Sequence, residues 1–461
     1  MTAATGPDGA GRRRVLLISY PFPPVGGAGV QRGTKFVKYL PRHGWDVSVL
    51  TVANPSVPVY DESLQADVPA GTVVRRARSW EPGYALKASV SAGRGARTGS
   101  GLVRRLAVGS FRRLANALLQ PDPQILWFPD AVAEGARLLR AVRHDAVLAT
   151  GPPFSTFLIG AALARRAGLP LVLDYRDEWG LSNAYLENKR LGPVSRYVQG
   201  RMQLRVVRAA AGLVATTRCS AAALGEVNRR AGGRAEVTWI YNGYDPDDFA
   251  GPADGGPAAD RFRLAYVGTL WSLTDVGPLV GAVRRLSADH PDLAARLELV
   301  FAGRRTGPQE EQLAALRGLP CRLVEHPYLD HAEAVRLIRG SGANCLLLSD
   351  LPGAGRVVPA KLFEYLAAAR PILAIAPRGE TRDLLDGYPG GGRFAPSDVA
   401  GVASWLAAAI RNHRPGRPPA VGWDASAYSR DNEAGQLARF LRSCAARRAG
   451  RRATPGAAAG S

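Results

Sequence analysis

Short apolar runs and amphipathic stretches take turns along almost the whole chain. RVLLIS (14–19) reads as a buried strand, Val30, Gly33, Val37 and Leu40 then recur at helical spacing, and WDVSVLT (45–51) returns to the strand pattern. AVLAT (146–150), STFLIGAALARRAG (155–168) and LPLVLDY (169–175) repeat the unit, and GLVATT (212–217) and EVTWI (236–240) extend it. After GPADGGPAAD (251–260) the alternation restarts with RLAYVG (263–268), LELVFAG (297–303), CRLVEH (321–326), ANCLLLS (343–349) and RPILAIA (370–376). Strands buried on both faces read as such unbroken apolar runs, and helices between them make the sheets parallel. The pattern predicts an α/β chain of two doubly wound, Rossmann-like domains facing a central cleft. At 461 residues the chain is too long for one ordinary domain and comfortable for two. Ligands of such sheets sit beyond the carboxyl ends of the strands, so function is sought in the loops that follow them.

The boundaries follow from composition. Residues 1–13 and 446–461 are small, charged and aperiodic and read as disordered tails. A first domain is expected over 14–250, a Gly/Pro/Ala linker over 251–260, a second domain over 261–425 and a last helix over 426–445. The stretch 76–120 departs from the rhythm. Within it LVRRLAVGSFRRLANALL (102–119) sets Val103, Leu106, Phe111, Leu114 and Leu118 near one side, with Arg104, Arg105, Arg112 and Arg113 mostly elsewhere. Such a helix either lies on an anionic membrane at the inner face of the cell or packs on its own domain with its arginines in water.

Net charge is +21, with arginine far outnumbering the lysines Lys35, Lys38, Lys87, Lys189 and Lys361. Abundant arginine, alanine, glycine and proline is the usage of a GC-rich genome, so part of the surplus carries no function. No zinc-finger spacing, basic zipper or aromatic ribonucleoprotein motif accompanies it, which argues against nucleic acid as a partner. No apolar run approaches the roughly 20 residues of a membrane span. The basic start at Arg12–Arg14 is followed by too short an apolar stretch for a signal peptide. Cytoplasmic residence is expected. Cys219, Cys321, Cys345 and Cys444 are scattered, with no Cys-x-x-Cys pair, and fit reduced thiols. His326 and His331 have no further ligand at metal-binding spacing, so no metal is expected.

Four segments carry chemistry. YPFPPVGGAGVQR (20–32) puts Gly26, Gly27 and Gly29 between the first strand and its helix, where bare backbone can approach an anion such as diphosphate. LVLDYRDEWG (171–180) brings Asp174, Arg176, Asp177 and Glu178 to a strand end. IYNGYDPDDF (240–249) contains Asp245-Pro246-Asp247, which reads as turn and capping chemistry in a proline-broken loop. GRVVPAKLFEYLAAARPILAIAPRGE (355–380) carries Lys361 and Glu364 three apart on a helix, with Arg356 before it. A surface Lys–Glu pair is the plainer account of that spacing; a cationic helix start beside a diphosphate and a carboxylate beside ribose hydroxyls is the functional one.

Taken in order, PPVGGAGVQR, GPPFST with DYRDEW, NGYDPDDF, YVGTL and VPAKLFEYLAAARPIL make the chain resemble family 4 of the retaining glycosyltransferases, with the two-domain fold called GT-B. The similarity spans roughly residues 14–445. It implies transfer of a sugar from a nucleoside-diphosphate sugar to a hydroxyl of a glycan, lipid-linked or small-molecule acceptor, in glycan, cell-envelope or glycolipid synthesis. Retention of anomeric configuration is implied, with the nucleotide sugar as co-substrate and neither cofactor nor metal. Gly26 and Gly27 match the loop over the donor phosphates, Gly268 and Thr269 the first loop of the donor domain, and Lys361 a basic position near the diphosphate. Glu364 matches the glutamate that binds the ribose, and Asp174, Arg176 and Asp177 the strand end facing the reacting sugar, a catalytic placement shared with Lys361. YSRDNEAGQLARFLRSCAARRA (428–449) resembles the helix that crosses back to the first domain.

The chain departs from the family twice. Arg356 stands where many members have the first glutamate of a Glu-x7-Glu pair, and TLWSLTDVG after Gly268 lacks the usual arginine and lysine. Arg304, Arg356 and Lys361 are then the replacements expected at the donor. Two rival readings remain: a nucleotide-sugar epimerase on the same fold, and a non-catalytic scaffold that binds glycan or anionic lipid.

Overall fold

The computed structural model describes residues 11–57, 59–83, 119–182, 191–251, 260–414 and 421–453. The segment 102–119, except Leu119, and most of 251–260 lie outside them. The first sheet contains β1 (Arg13–Ile18), β2 (Trp45–Val52), β3 (Val73–Ala77), β4 (Ala146–Gly151), β5 (Leu171–Tyr175), β6 (Gly212–Ala215) and β7 (Glu236–Trp239). Its order is β3-β2-β1-β4-β5-β6-β7, with every pairing parallel. The second contains β8 (Phe262–Val267), β9 (Leu297–Ala302), β10 (Arg322–His326), β11 (Ala343–Leu347), β12 (Ile372–Ile375) and β13 (Gly392–Phe394). Its order, β10-β9-β8-β11-β12-β13, repeats the winding of the first. In each sheet the chain runs outward from a central strand, then reverses and builds the other half. The reversal points, β1/β4 and β8/β11, are where a doubly wound sheet opens a crevice. The two Rossmann-like sheets make a GT-B architecture.

Alternation along β1 divides the first core. Leu16 and Ile18 enter a cluster with Trp127, Phe157, Leu163 and Leu173, beneath the helices Phe128–Ala141 and Ser155–Ala167. Val15 and Leu17 point the other way, toward Phe36, Trp45, Leu437 and Leu441. That second face is closed by the helix Ala28–Tyr39 and by the last helix, Arg430–Ala453. Trp45 Nε1 donates to the Ala438 carbonyl at 3.2 Å, fixing the last helix to the start of β2. A carboxyl-terminal segment thus completes the hydrophobic core of the amino-terminal sheet.

The structure differs from the sequence expectation at both ends. Helix continues to Ala453 rather than giving way at 446. Arg447 pairs with Glu236 and Arg448 Nε donates to the Gly168 carbonyl at 3.0 Å, so tertiary partners extend a segment that has no apolar period of its own. At the start, Arg13 already belongs to β1, paired with Trp45. β3 and β13 were not expected: both are edge strands, and β13 is three residues long. Among the described residues no helix is long and apolar enough to cross a membrane.

Candidate functional site

Loops that follow the strands of the two sheets face each other across a cleft of about 750 Å³. Gly27, Gly29, Pro152, Arg176, Asp177 and Glu178 line it from the first sheet. Gly268, Thr269, Arg356, Lys361 and Glu364 line it from the second.

The first wall is built around the turn after β1. Gly27 has φ 96°, a conformation that favours a residue with no side chain. A Cβ on Gly29 would lie 3.0 Å from Arg176 Nη1, so the loop and that guanidinium are in contact. Arg176 donates to the carbonyls of Gly29 and Pro152, tying the turns after β1 and β4 together. Asp177, beside it, is exposed to the cleft.

Two residues expected on this wall are elsewhere. Gly26 does not line the cleft; a Cβ there would meet Val59 Cγ1 at 2.9 Å, so its lack of a side chain serves packing against the next loop. Asp174 is 1% exposed and points into the domain. Its carboxylate accepts from Arg32 Nη2 at 2.9 Å, Arg32 Nε at 3.1 Å and Thr150 Oγ1 at 2.8 Å. A buried carboxylate needs such partners, and with Arg32 equally buried the pair is structural.

The second wall centres on Lys361, the first residue of the helix Lys361–Ala367. Its Nζ stands 3.7 Å from the centroid of the Tyr266 ring, and a Cβ on Gly268 would come within 2.8 Å of it. Gly268, at φ 130°, leaves that space open. Burial pushes the Lys361 ammonium down to about 7, against the opposite pull of Cys345 and Glu364. Burial also raises the Glu364 carboxyl above its ordinary range, opposed by His331 and Arg430. Arg304 is exposed and lies off the cleft. It follows β9 by two residues, where the backbone runs bonded beside Leu270 while the Arg304 side chain is exposed.

Sequence reading missed several cleft residues. His331 bonds Asp248 at 2.7 Å, and although burial works against its charge, that carboxylate holds its pKa up. Lys35, 2% exposed, pairs with Asp245 at 2.5 Å and Asp67 at 2.6 Å. Asp245 also accepts the backbone N–H of Asp247, the expected capping contact. NGYDPDDF was the available signal; its acids are drawn into ion pairs with cations far away in sequence. No group of three metal-ligating side chains converges among the described residues.

Besides His331–Asp248, further contacts span the two domains. Arg356 Nε and Nη2 donate to the Glu178 carboxylate at 2.8 and 3.0 Å. Thr217 Oγ1 donates to the Arg356 carbonyl at 2.8 Å. Glu380, fully buried, accepts the N–H groups of Arg218 and Cys219, each at 2.7 Å, and the Tyr241 hydroxyl at 2.6 Å. A carboxylate from the second domain therefore sits at the amino end of the helix Arg218–Arg230 of the first.

Residues 26–243 match the glycosyl transferase 4-like domain family. In overall fold the chain is similar to HepE of Anabaena, solved with UDP and glucose, at 16% identity and a TM-score of 0.54, over 96% of this chain and 99% of that one. It is also similar to an α,α-trehalose-phosphate synthase (UDP-forming) of Burkholderia vietnamiensis, at 15% identity and a TM-score of 0.59, over 94% and 99% of the two chains. The Burkholderia xenovorans enzyme of the same description, solved with glucose-6-phosphate, gives 14% identity and 0.58 over 93% and 100%. No curated protein matches in sequence. The amino-terminal domain of this chain is therefore similar to the glycosyl transferase 4-like domain family, and the whole chain shares the GT-B fold.

Proposed function

We propose that the chain moves a glycosyl group from a nucleoside-diphosphate sugar to an acceptor hydroxyl with retention of configuration and without a metal. The observation that carries this is the convergence of Lys361, Gly268 and Glu364 on one wall of the cleft, opposite Gly27 and Arg176 on the other. The ammonium of Lys361 stabilises the charge that grows on the departing diphosphate as the anomeric bond breaks. Gly268 and Thr269 let the phosphates approach backbone, and Glu364 accepts the ribose hydroxyls. Asp177 faces the reacting sugar from the acceptor side. Arg356, held by Glu178, closes the cleft and takes no direct part at the donor. HepE, similar in fold, is solved with UDP-glucose, which supports a nucleotide-sugar donor. A cytoplasmic setting, with a glycan, lipid-linked or small-molecule acceptor, is part of the same reading; four free thiols are in keeping with a reducing compartment.

Thermal unfolding with UDP, GDP, ADP and dTDP and their sugars tests the donor site. One nucleotide is expected to raise the melting temperature, by the equivalent of about 2.7 kcal/mol at a hundredfold excess over Kd. The shift should survive EDTA and shrink in Lys361→Ala. No shift with any of them overturns the proposal, and loss on chelation, restored by Mg²⁺, overturns its metal-free part.

A further inference from the structure

Among the described residues six lysine and arginine side chains line the cleft: Arg32, Lys35, Arg176, Arg356, Lys361 and Arg430. Four are neutralised by carboxylates: Arg32 by Asp174 at 2.9 Å, Lys35 by Asp245 at 2.5 Å, Arg356 by Glu178 at 2.8 Å and Arg430 by Glu433 at 3.2 Å. Arg176 and Lys361 make no ion pair with a carboxylate among the described residues. They stand on opposite walls, one in each domain.

Lys361 has a use in the transfer chemistry already proposed. Arg176 lines the facing wall, and the steps given so far assign it no bond to the substrates. Its two terminal nitrogens are oriented by the carbonyls of Gly29 and Pro152, and its Nε is buried with no partner among the described residues. Carbonyl oxygens aim a guanidinium but do not cancel its charge. Asp177 and Asp174 act on it through space without a hydrogen bond, the first opening onto the cleft and the second taken by Arg32, and Glu178, equally near in sequence, is taken by Arg356. Gly29, with no side chain, keeps the approach to Arg176 Nη1 open. A planar fork held in place at a cleft wall, with no carboxylate bonded to it among the described residues, suits a phosphate or carboxylate.

We infer that Arg176 binds an anionic group, a phosphate or carboxylate, carried by the acceptor, so that the enzyme glycosylates an acidic acceptor. This rests on the reading of the cleft as a nucleotide-sugar site. The donor's own diphosphate is the other source of such an anion, and the two are separable because Lys361 and Arg176 lie on different domains.

The test uses the full chain, with inorganic phosphate as the acceptor-side probe and UDP as the donor-side probe. Melting temperatures are measured with saturating UDP and rising phosphate, against chloride at matched ionic strength. Phosphate should stabilise the UDP-saturated wild type further. Arg176→Gln should abolish that increment while UDP affinity stays within about twofold, and Arg176→Lys should keep part of it. Phenylglyoxal labelling of the wild type, mapped by mass spectrometry, reads the same site without a variant: phosphate should protect Arg176. An equal phosphate increment in wild type and Arg176→Gln, none in wild type, or no protection of Arg176 overturns the inference. A fall of about tenfold or more in UDP affinity in Arg176→Gln also overturns it, by assigning the anion to the donor. If the wild type binds no nucleoside diphosphate, the transferase reading fails, and the phosphate arm without UDP still decides whether Arg176 holds an anion.

Discussion

The ammonium nitrogen of Lys361 rests 3.7 Å from the centre of the Tyr266 ring, facing the cleft at the start of its helix. Among the described residues it makes no ion pair, and burial, outweighing the pull of Cys345 and Glu364, lowers its pKa from 10.5 to about 7. A bound diphosphate supplies the missing negative charge and raises that pKa. Between about pH 7 and 10.5 the free site is largely neutral, so nucleotide binding takes up a proton and affinity falls as pH rises. Below about 7 the lysine is already charged and no uptake occurs. Calorimetry of UDP binding at alkaline pH, in two buffers of different ionisation heat, measures the uptake. Lys361→Ala should abolish it and lower turnover about 100-fold. Undiminished uptake in that variant removes Lys361 from the diphosphate site.

Glu364→Ala should weaken nucleotide binding by about 1.5–3 kcal/mol, the scale of hydrogen bonds to a charged group. Its fold should persist, because the side chain faces the cleft. Titration calorimetry with UDP, beside a melting curve without ligand, distinguishes lost contact from lost structure. Unchanged affinity in a folded variant rules out the ribose role.

Asp174→Ala should behave as a folding variant. Arg32 would be left charged and buried, which costs about 3–5 kcal/mol. Urea denaturation reads the loss directly. Replacing Arg32 and Asp174 together by apolar residues should recover much of it. Full stability with abolished turnover in Asp174→Ala would return this residue to the catalytic group.

Glu380→Gln tests the interdomain cap. Burial disfavours the Glu380 charge, but the Tyr241 hydroxyl and two helix amides outweigh it and hold the pKa below its usual 4.5. A depressed acid contributes stability above its unfolded pKa and loses it as pH falls through the folded value. Glu380→Gln should therefore melt earlier than wild type at pH 7, by the equivalent of about 1–3 kcal/mol. The gap should close in acid. A gap that widens toward low pH contradicts the cap.

Charge reversal tests the bridge across the cleft. Glu178→Arg or Arg356→Glu alone sets like charges against each other and should open the two domains, seen as a larger radius of gyration by small-angle scattering. The double reversal should restore the wild-type value. Because Arg356 is 40% exposed, the coupling should be no more than about 1 kcal/mol. Identical scattering from all four proteins means that the pair does not hold the cleft.

Much of the architecture was legible because strands covered on both faces leave unbroken apolar runs. LVLDY and LVFA within their predicted segments are wholly buried strands, and GPADGGPAAD separates the two sheets in sequence. Edge strands leave a weaker trace: β3, VVRRA, has two arginines among its five residues, and β13 is too short for any period. The spacing of Lys361 and Glu364 placed both near one face of a helix, and both line the cleft. Glycine at 27 was legible from its place between β1 and the next helix and glycine at 268 through the family resemblance, and both prove to have positive φ.

What sequence alone could not decide is where each charge goes. Asp174 and Asp177 differ by three positions, yet one is sealed against Arg32, 142 residues away, and the other opens onto the cleft. Arg304 and Arg356 were equal as donor-side cations. Glu178, on the other domain, captures Arg356, while Arg304 turns to solvent. Glu380 carried no local signal, because its partners are amides at the end of a helix in the other domain. Hydrophobic period is local and survives in the sequence; the neutralisation of a buried charge depends on partners that only the folded chain brings within 3 Å or so.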